Sequence, residues 1–366
     1  MLHTTADVVT EVRGRVGLIT LNRPKAINAL SLDMVRALLA QLLAWQSDAQ
    51  VLAVAIRGSH KEGAFGHFCA GGDIRFLHQA GSTGNPQLED FFTEEYTLNH
   101  LIFNYPKPYI AFMDGIVMGG GMGISQGASW RLVTEKTKMA MPETIIGLFP
   151  DVGGGYFLSR CPGAVGEWLA LTGDTIGAAE AVAFHLADGF VSVEQQTALW
   201  EALAMQPFDS SEAVQAFVQA QTSAPVPGPV RDTADIDRVF ALPSVPDIIH
   251  CLENDSQEWA QSTATALRKR SPLMLYVVLE QIRRARQMDV ATDLRMERDM
   301  VRHCFYLRPG HSETLEGIRA LAVDKDHAPQ WQPARIEEVD EALWRAFFVS
   351  PWPAHSHPLA ALQDSV

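Results

Sequence analysis

From Val8 to Leu21 apolar and polar residues alternate on either side of Gly14, the pattern of two short strands joined by a tight turn. Downstream the period lengthens. Leu32, Val35, Leu38, Leu39 and Leu42 fall on one face of a helix running to Trp45, and Ser31 stands where its hydroxyl can cap the first turn. The run VLAVAI at 51–56 has no polar member and predicts a strand covered on both faces. A loop ending in Gly71-Gly72-Asp73 follows, then a short helix. The same order returns at Tyr109 to Met113, a strand that feeds into Gly119-Gly120-Gly121, after which Met122, Ile124 and Ala128 suit a buried helix. Arg131 to Val133 and Lys138 to Met141 supply two more short strands.

Beyond Gly155 the pattern is helical, at Trp168 to Leu171, Ala178 to His185 and Val193 to Met205. Three prolines and a glycine in SAPVPGPV, 223–230, mark a linker or extended connection. The remainder is mostly helix: Pro272 to Gln287 begins behind Ser271 with proline in its first turn, and 290–307 and 312–323 are periodic too. Strands alternating with helices, then a helical tail, predict an α/β core with a helical extension. The expected division is a core at 1–222, a helical region at 223–350 and a poorly ordered tail at 351–366.

Composition narrows the functional classes. A chain of 366 residues at 47% apolar and 20% charged holds one large domain or two ordinary ones with a full core. A net charge of −14 argues against a general nucleic-acid or anionic-membrane surface. Cys69, Cys161, Cys251 and Cys304 are scattered without CxxC spacing, so neither a zinc knuckle nor a disulfide scaffold is indicated, and no metal is expected. The N-terminal residues lack an apolar targeting stretch and no apolar run has membrane-spanning length, so the expected location is cytoplasmic.

The candidate chemistry lies in the glycine-rich turns and in two acids. Glycines expose their amide N–H groups and let a ligand approach, so Gly72 and the triplet at 119–121 are ready donors for a negative oxygen. Glu143 and Asp151 sit eight residues apart in the otherwise apolar MPETIIGLFPDVGG, where a carboxyl is costly unless partnered or used. They are the first candidates for acid/base work.

The ordered set FCAGGDI (68–74), GIVMGGGMG (115–123) and MPETIIGLFPDVGGG (141–155) resembles the crotonase, or enoyl-CoA hydratase/isomerase, superfamily. FFTEEYTLNH at 91–100 and EGIRALAVDKDHAPQWQPA at 316–334 draw the likeness toward its branch that hydrolyses short 3-hydroxyacyl-CoA thioesters. The resemblance covers roughly 8–340 and implies a spiral of repeated ββα units. It further implies an oxyanion hole made by the amides of Gly72 and Gly120, and substrate contacts from Glu95, Glu143 and Asp151. Ala70, Gly72 and Ile74 would line the adenine end of coenzyme A, with Lys25 a phosphate or pantetheine neighbour. Coenzyme A would be part of the substrate, no separate cofactor is implied, and a homo-oligomer is a possible assembly. Hydratases of the superfamily use two glutamates; one matches Glu143, but the other matches Gly123, which has no side chain.

On chemical grounds, two preorganised amide donors would hold the charge that develops on a thioester oxygen, on the order of 3–4 kcal/mol for each donor lost. Glu143 would act as base or nucleophile, and Asp151 would hold the water or the substrate 3-hydroxyl. Other readings stand beside this one. Asp151 is also placed to cap a helix at 152–158, and Cys69 reads as a small buried apolar residue. GISQG at 123–127 is a literal GxSxG, which offers Ser125 as a nucleophile with Asp151 or Asp174 and His185 as partners. A hydratase or isomerase of the same superfamily, or a non-catalytic acyl-CoA-binding protein, completes the set. A nucleotide-binding loop is absent: no GxGxxG follows a strand.

Overall fold

The computed structural model describes residues 3–61, 63, 65–222 and 226–364. Strands β1 (Val8–Arg13) and β2 (Val16–Leu21) form the expected hairpin, with Val8 opposite Leu21 and Gly14 at φ 58° in the turn. Helix α1 (Leu32–Ser47) begins where the Ser31 hydroxyl accepts from the Met34 N–H at 3.3 Å. Strand β3 (Ala53–Gly58) lies two residues later than the apolar run at 51–56, because β2 pairs with it in parallel from Val16 opposite Ala53. Helices α2 (Ile74–Thr83) and α3 (Gln87–Phe103) follow, then β4 (Tyr109–Met113), as expected, and a short β5 (Ile116–Met118).

The helix expected after the glycines is a single turn, α4 (Gly120–Gly123). The glycines at 119, 120, 121, 123 and 127 cost too much backbone entropy to sustain more. Strands β6 (Trp130–Val133), β7 (Lys138–Ala140) and β8 (Gly189–Phe190) complete two sheets. The larger runs β1-β2-β3-β4-β6-β8, parallel after the first pair; the smaller is β5-β7. Single bridges extend the smaller sheet: Cys69 pairs with Val117, and Leu30 with Gly72. Each turn of chain thus adds a strand to one sheet and a rung to the other. This is the repeated unit of the spiral.

Helices α5 (Gly154–Leu158), α6 (Val165–Thr172), α7 (Ala178–Ala183), α8 (Val193–Met205) and α9 (Ser211–Gln221) follow around β8. The prolines of 226–230 form an extended connection; the first part of that expected linker, 223–225, lies outside the described residues. Then come α10 (Ala234–Phe240), α11 (Val245–Glu253), α12 (Glu258–Leu267), α13 (Pro272–Ala285) and α14 (Val290–Tyr306). Helix α15 (Glu313–Ile318) runs into a π-turn at Arg319–Val323, and α16 (Glu341–Arg345) is the last. One hydrophobic cluster runs from Val8 to Leu359 and takes in the helices from α10 to α15, whereas α8 and α9 pack in a second cluster with Val16, Leu18, Ile110 and Phe112 of the larger sheet.

The described part of the tail, to Asp364, is ordered, against expectation. Leu359 is buried, and the Asp364 carboxylate accepts from the Asn104 side chain at 3.2 Å and the Ala291 N–H at 3.2 Å, and sits 2.9 Å from His100 Nε2. Side-chain bonds to α3 and α14 fix a segment that has no periodicity of its own.

Candidate active site

Five segments meet at one cavity of about 210 Å³: the loop before α2, the first turns of α2, the start of α4, the turn from Pro142 to Val152, and the inner face of α3. Its wall is largely apolar, with Leu77, Phe91, Phe92, Ile145, Ile146 and Leu148, and Leu321 reaches it from the π-turn. Ala70, Gly72, Ile74, Glu95, Gly120, Glu143 and Asp151 all line it. Lys25 does not: it stands exposed on a 3-10 turn, Pro24–Ala26, outside the lining.

The first loop is held from behind. Buried Asn28 donates to the His67 carbonyl at 2.8 Å, the Ala70 N–H donates to the Ile27 carbonyl at 3.0 Å, and Arg23 pairs with Asp73 at 2.8 Å. In the parallel bridge to Leu30, the bonds use the Gly71 carbonyl (2.8 Å) and the Asp73 N–H (3.0 Å). The peptide groups of Gly72 itself therefore face away from Leu30, toward the β5 side.

Gly119 sits at φ 49°, ψ −122°, a conformation open only to glycine, and its N–H is bonded to the Ala140 carbonyl at 3.4 Å. Gly120 opens the helical turn, so its N–H has no partner one turn back. The two donors are adjacent: a Cβ on Gly120 would lie 3.4 Å from the Gly72 nitrogen.

The acids crowd the same point. That Cβ position on Gly120 is 2.7 Å from Glu95 Oε1, and the corresponding position on Gly119 is 2.7 Å from Glu143 Oε1. Glu95, Glu143 and Asp151 are 2%, 7% and 6% exposed, so three carboxyls share one nearly dry cavity. Burial pushes Glu95 and Glu143 well above the usual carboxylate range, and the Asp151 charge pushes both further, with Glu143 adding to the effect on Glu95. Burial raises Asp151 to about 7, opposed by a 2.9 Å hydrogen bond from the Tyr96 hydroxyl and by its own backbone N–H. Among the described residues, Asp151 alone of the three accepts a side-chain hydrogen bond.

Asp151 does not cap α5; Gly153 holds the cap position and makes no side-chain bond there. Tyr96 was not singled out from the sequence, where it reads as one more core aromatic beside Glu95. Position 123 is closed. A Cβ on Gly123 would lie 2.6 Å from the Val152 Cβ and 2.9 Å from Asn99 Nδ2, so no second glutamate fits there.

The serine-nucleophile reading is overturned. Ser125 is fully buried, does not line the cavity, and its hydroxyl donates to the Gly121 carbonyl at 2.8 Å and the Met122 carbonyl at 3.2 Å. His185 is exposed on a turn at φ 65° and Asp174 pairs with Arg231, so neither serves it. Cys69 is buried, and desolvation pushes its thiol up to about 12, which leaves it no thiolate for attack. No helix among the described residues is long and apolar enough to cross a membrane.

The family model described as enoyl-CoA hydratase/isomerase matches residues 16–348. A mitochondrial 3-hydroxyisobutyryl-CoA hydrolase of Danio rerio is 40% identical over 342 residues, 92% of this chain and 87% of that protein. Two solved structures carry different names on the same fold. A carnitinyl-CoA dehydratase from Mycobacterium thermoresistibile superposes at a TM-score of 0.85 with 38% identity, covering 95% of this chain and 98% of its own. An enoyl-CoA hydratase from Rhodobacter sphaeroides 2.4.1 gives a TM-score of 0.83 and 34% identity, covering 94% and 98%. With its spiral of ββα units, its paired glycine loops and these matches along most of its length, the chain belongs to the enoyl-CoA hydratase/isomerase, or crotonase, family.

Proposed function

We propose that this protein hydrolyses 3-hydroxyisobutyryl-CoA to 3-hydroxyisobutyrate and coenzyme A, a reaction of valine breakdown. The observation that carries the reading is the set of three buried acids around two adjacent glycine amides, with position 123 closed to a second hydratase glutamate. The named hydrolase relative agrees with it. The names of the two solved structures point to addition or removal of water across a double bond, which the closed position 123 disfavours.

In this reading the thioester oxygen lies between the N–H groups of Gly72 and Gly120, which take up the charge that forms on it. Glu143 acts as general base on water or attacks the carbonyl carbon itself, giving an anhydride. As the tetrahedral intermediate collapses the C–S bond breaks; in the base route the thiolate takes back the proton that Glu143 took from water, and in the direct route water then cleaves the Glu143–acyl anhydride and its proton goes to the thiolate. Asp151, anchored by Tyr96, holds the water or the 3-hydroxyl, and Glu95 orients the acyl group. Coenzyme A enters as part of the substrate, with Lys25 a candidate neighbour of its phosphates on the resemblance alone. The cytoplasmic location stays part of this proposal; the named hydrolase relative is a mitochondrial protein.

The test is free-thiol release from 3-hydroxyisobutyryl-CoA by the wild type, Glu143→Gln and Asp151→Asn. Both variants are expected to lose about 10²-fold or more in kcat. A wild-type rate from folded Glu143→Gln would overturn the assignment.

A further inference from the structure

Behind the cavity wall lies a second group of buried acids that the reaction does not touch. Its acids are Asp293 and Glu297 on α14, fully buried beside Gln281 of α13, yet neither carboxyl forms an ion pair among the described residues. Both instead accept from the backbone of the turn that carries Asp151. Glu297 Oε2 takes the Gly153 N–H at 2.7 Å, Glu297 Oε1 takes the Gly155 N–H at 2.9 Å, and Asp293 Oδ2 takes the Tyr156 N–H at 2.8 Å. On the other side of the turn, Gln281 Nε2 donates to the Pro150 carbonyl at 2.6 Å and to Glu297 Oε1 at 3.1 Å.

Between these two anchor points stands Val152, at φ 58°. A β-branched residue in the left-handed region is strained and persists only where its surroundings over-determine it. Val152 is also the residue whose side chain closes position 123. Gly155 fits the same account: a Cβ there would lie 2.4 Å from Asp293 Oδ1, so Asp293 approaches the turn this closely only because position 155 has no side chain.

We propose that Glu297, with Gln281 and Asp293, is a positioning residue for the reaction: from the C-terminal helices it clamps the strained turn at Pro150–Gly155 and so fixes where the Asp151 carboxyl stands. The proposal rests on the role given to Asp151 above. It assigns the helical extension a part in catalysis without contact with substrate.

The experiment measures kcat, KM and the unfolding midpoint for Glu297→Gln, alone and in an Asp151→Asn background. A glutamine keeps the shape but offers one acceptor oxygen where two N–H groups now bond. Expected are a cooperative unfolding transition, a kcat about 10²-fold lower and a KM within about threefold of wild type, the pattern of misplacement rather than lost binding. In the Asp151→Asn background Glu297→Gln should change the residual rate by less than about twofold, because the two act through one group. A folded Glu297→Gln with wild-type kcat, or one whose loss adds in full to that of Asp151→Asn, overturns the clamp. Should Glu297→Gln fail to fold, Gln281→Met decides: it removes the bond to Pro150 and is expected to lower kcat about tenfold, and a wild-type kcat overturns the clamp. If Asp151→Asn itself turns over at the wild-type rate, the reading of Asp151 has failed first, and the clamp falls with it.

Discussion

The Tyr96 hydroxyl donates across 2.9 Å to Asp151, which lines a cavity with two other carboxyls that have no such donor among the described residues. A hydrogen bond to the charged form favours ionisation, so Tyr96 holds Asp151 lower than burial alone would. Tyr96→Phe removes that donor, and the sign follows: the limb of the kcat/KM profile set by ionisation of Asp151 moves up, by about 0.5–1 unit. A pH series of thiol release checks this, and a limb that stays in place or moves to lower pH contradicts it. At this scale the sequence was partly legible. Glu143 and Asp151 stand out because their neighbours are apolar, whereas Tyr96 gains its role from a partner 55 residues away, which no local pattern encodes. Glu297 is hidden more deeply. In DLRMERDM it reads as one charge on a solvated helix, and only the N–H groups of a distant turn make its burial tolerable.

Among the elements, β4 was readable because five apolar residues in a row leave no polar face to expose. Strand β5 was not, since three residues between Gly115 and Gly119 are too few to show a period. Strand β3 was displaced by two residues because pairing, and not hydropathy, sets its ends. The glycines that stand out in the sequence as exposed donors are also numerous enough to shorten α4 to one turn. Gly123 tests that packing. Gly123→Ala places a methyl 2.6 Å from the Val152 Cβ and is expected to lower stability by about 1–3 kcal/mol, read from denaturant midpoints. An unchanged midpoint would mean that position 123 has room, and the argument against a second glutamate there would fail.

For the molecule as a whole, the burial of so many acids has a consequence for stability. Burial raises Glu95, Glu143 and Asp151, and raises Asp293 and Glu297 behind them; Asp151 and Asp293 reach about 7. A carboxyl with a folded pKa above its unfolded one keeps a proton that the unfolded chain has already released. It therefore carries no ionisation penalty below the ordinary carboxylate range, and stability is lost as pH rises from there through about 7. Asp151→Asn cannot ionise, so it should stabilise the protein more at pH 8 than at pH 5, by about 1–3 kcal/mol, while abolishing most turnover. Equal effects at the two pH values, or destabilisation at both, would contradict this. The ordered tail belongs to the same scale: its place was illegible because Asp364 is held by His100, Asn104 and Ala291, groups remote in the chain.

The most direct test of the central claim, that two glycine amides and buried acids here cleave a thioester, puts two substrates side by side before the wild-type protein. Thiol release from 3-hydroxyisobutyryl-CoA and loss of the double bond from an enoyl-CoA are followed under the same conditions. The account predicts rapid thiol release from the first and no hydration of the second above the uncatalysed rate. Hydration that outruns thiol release would contradict it.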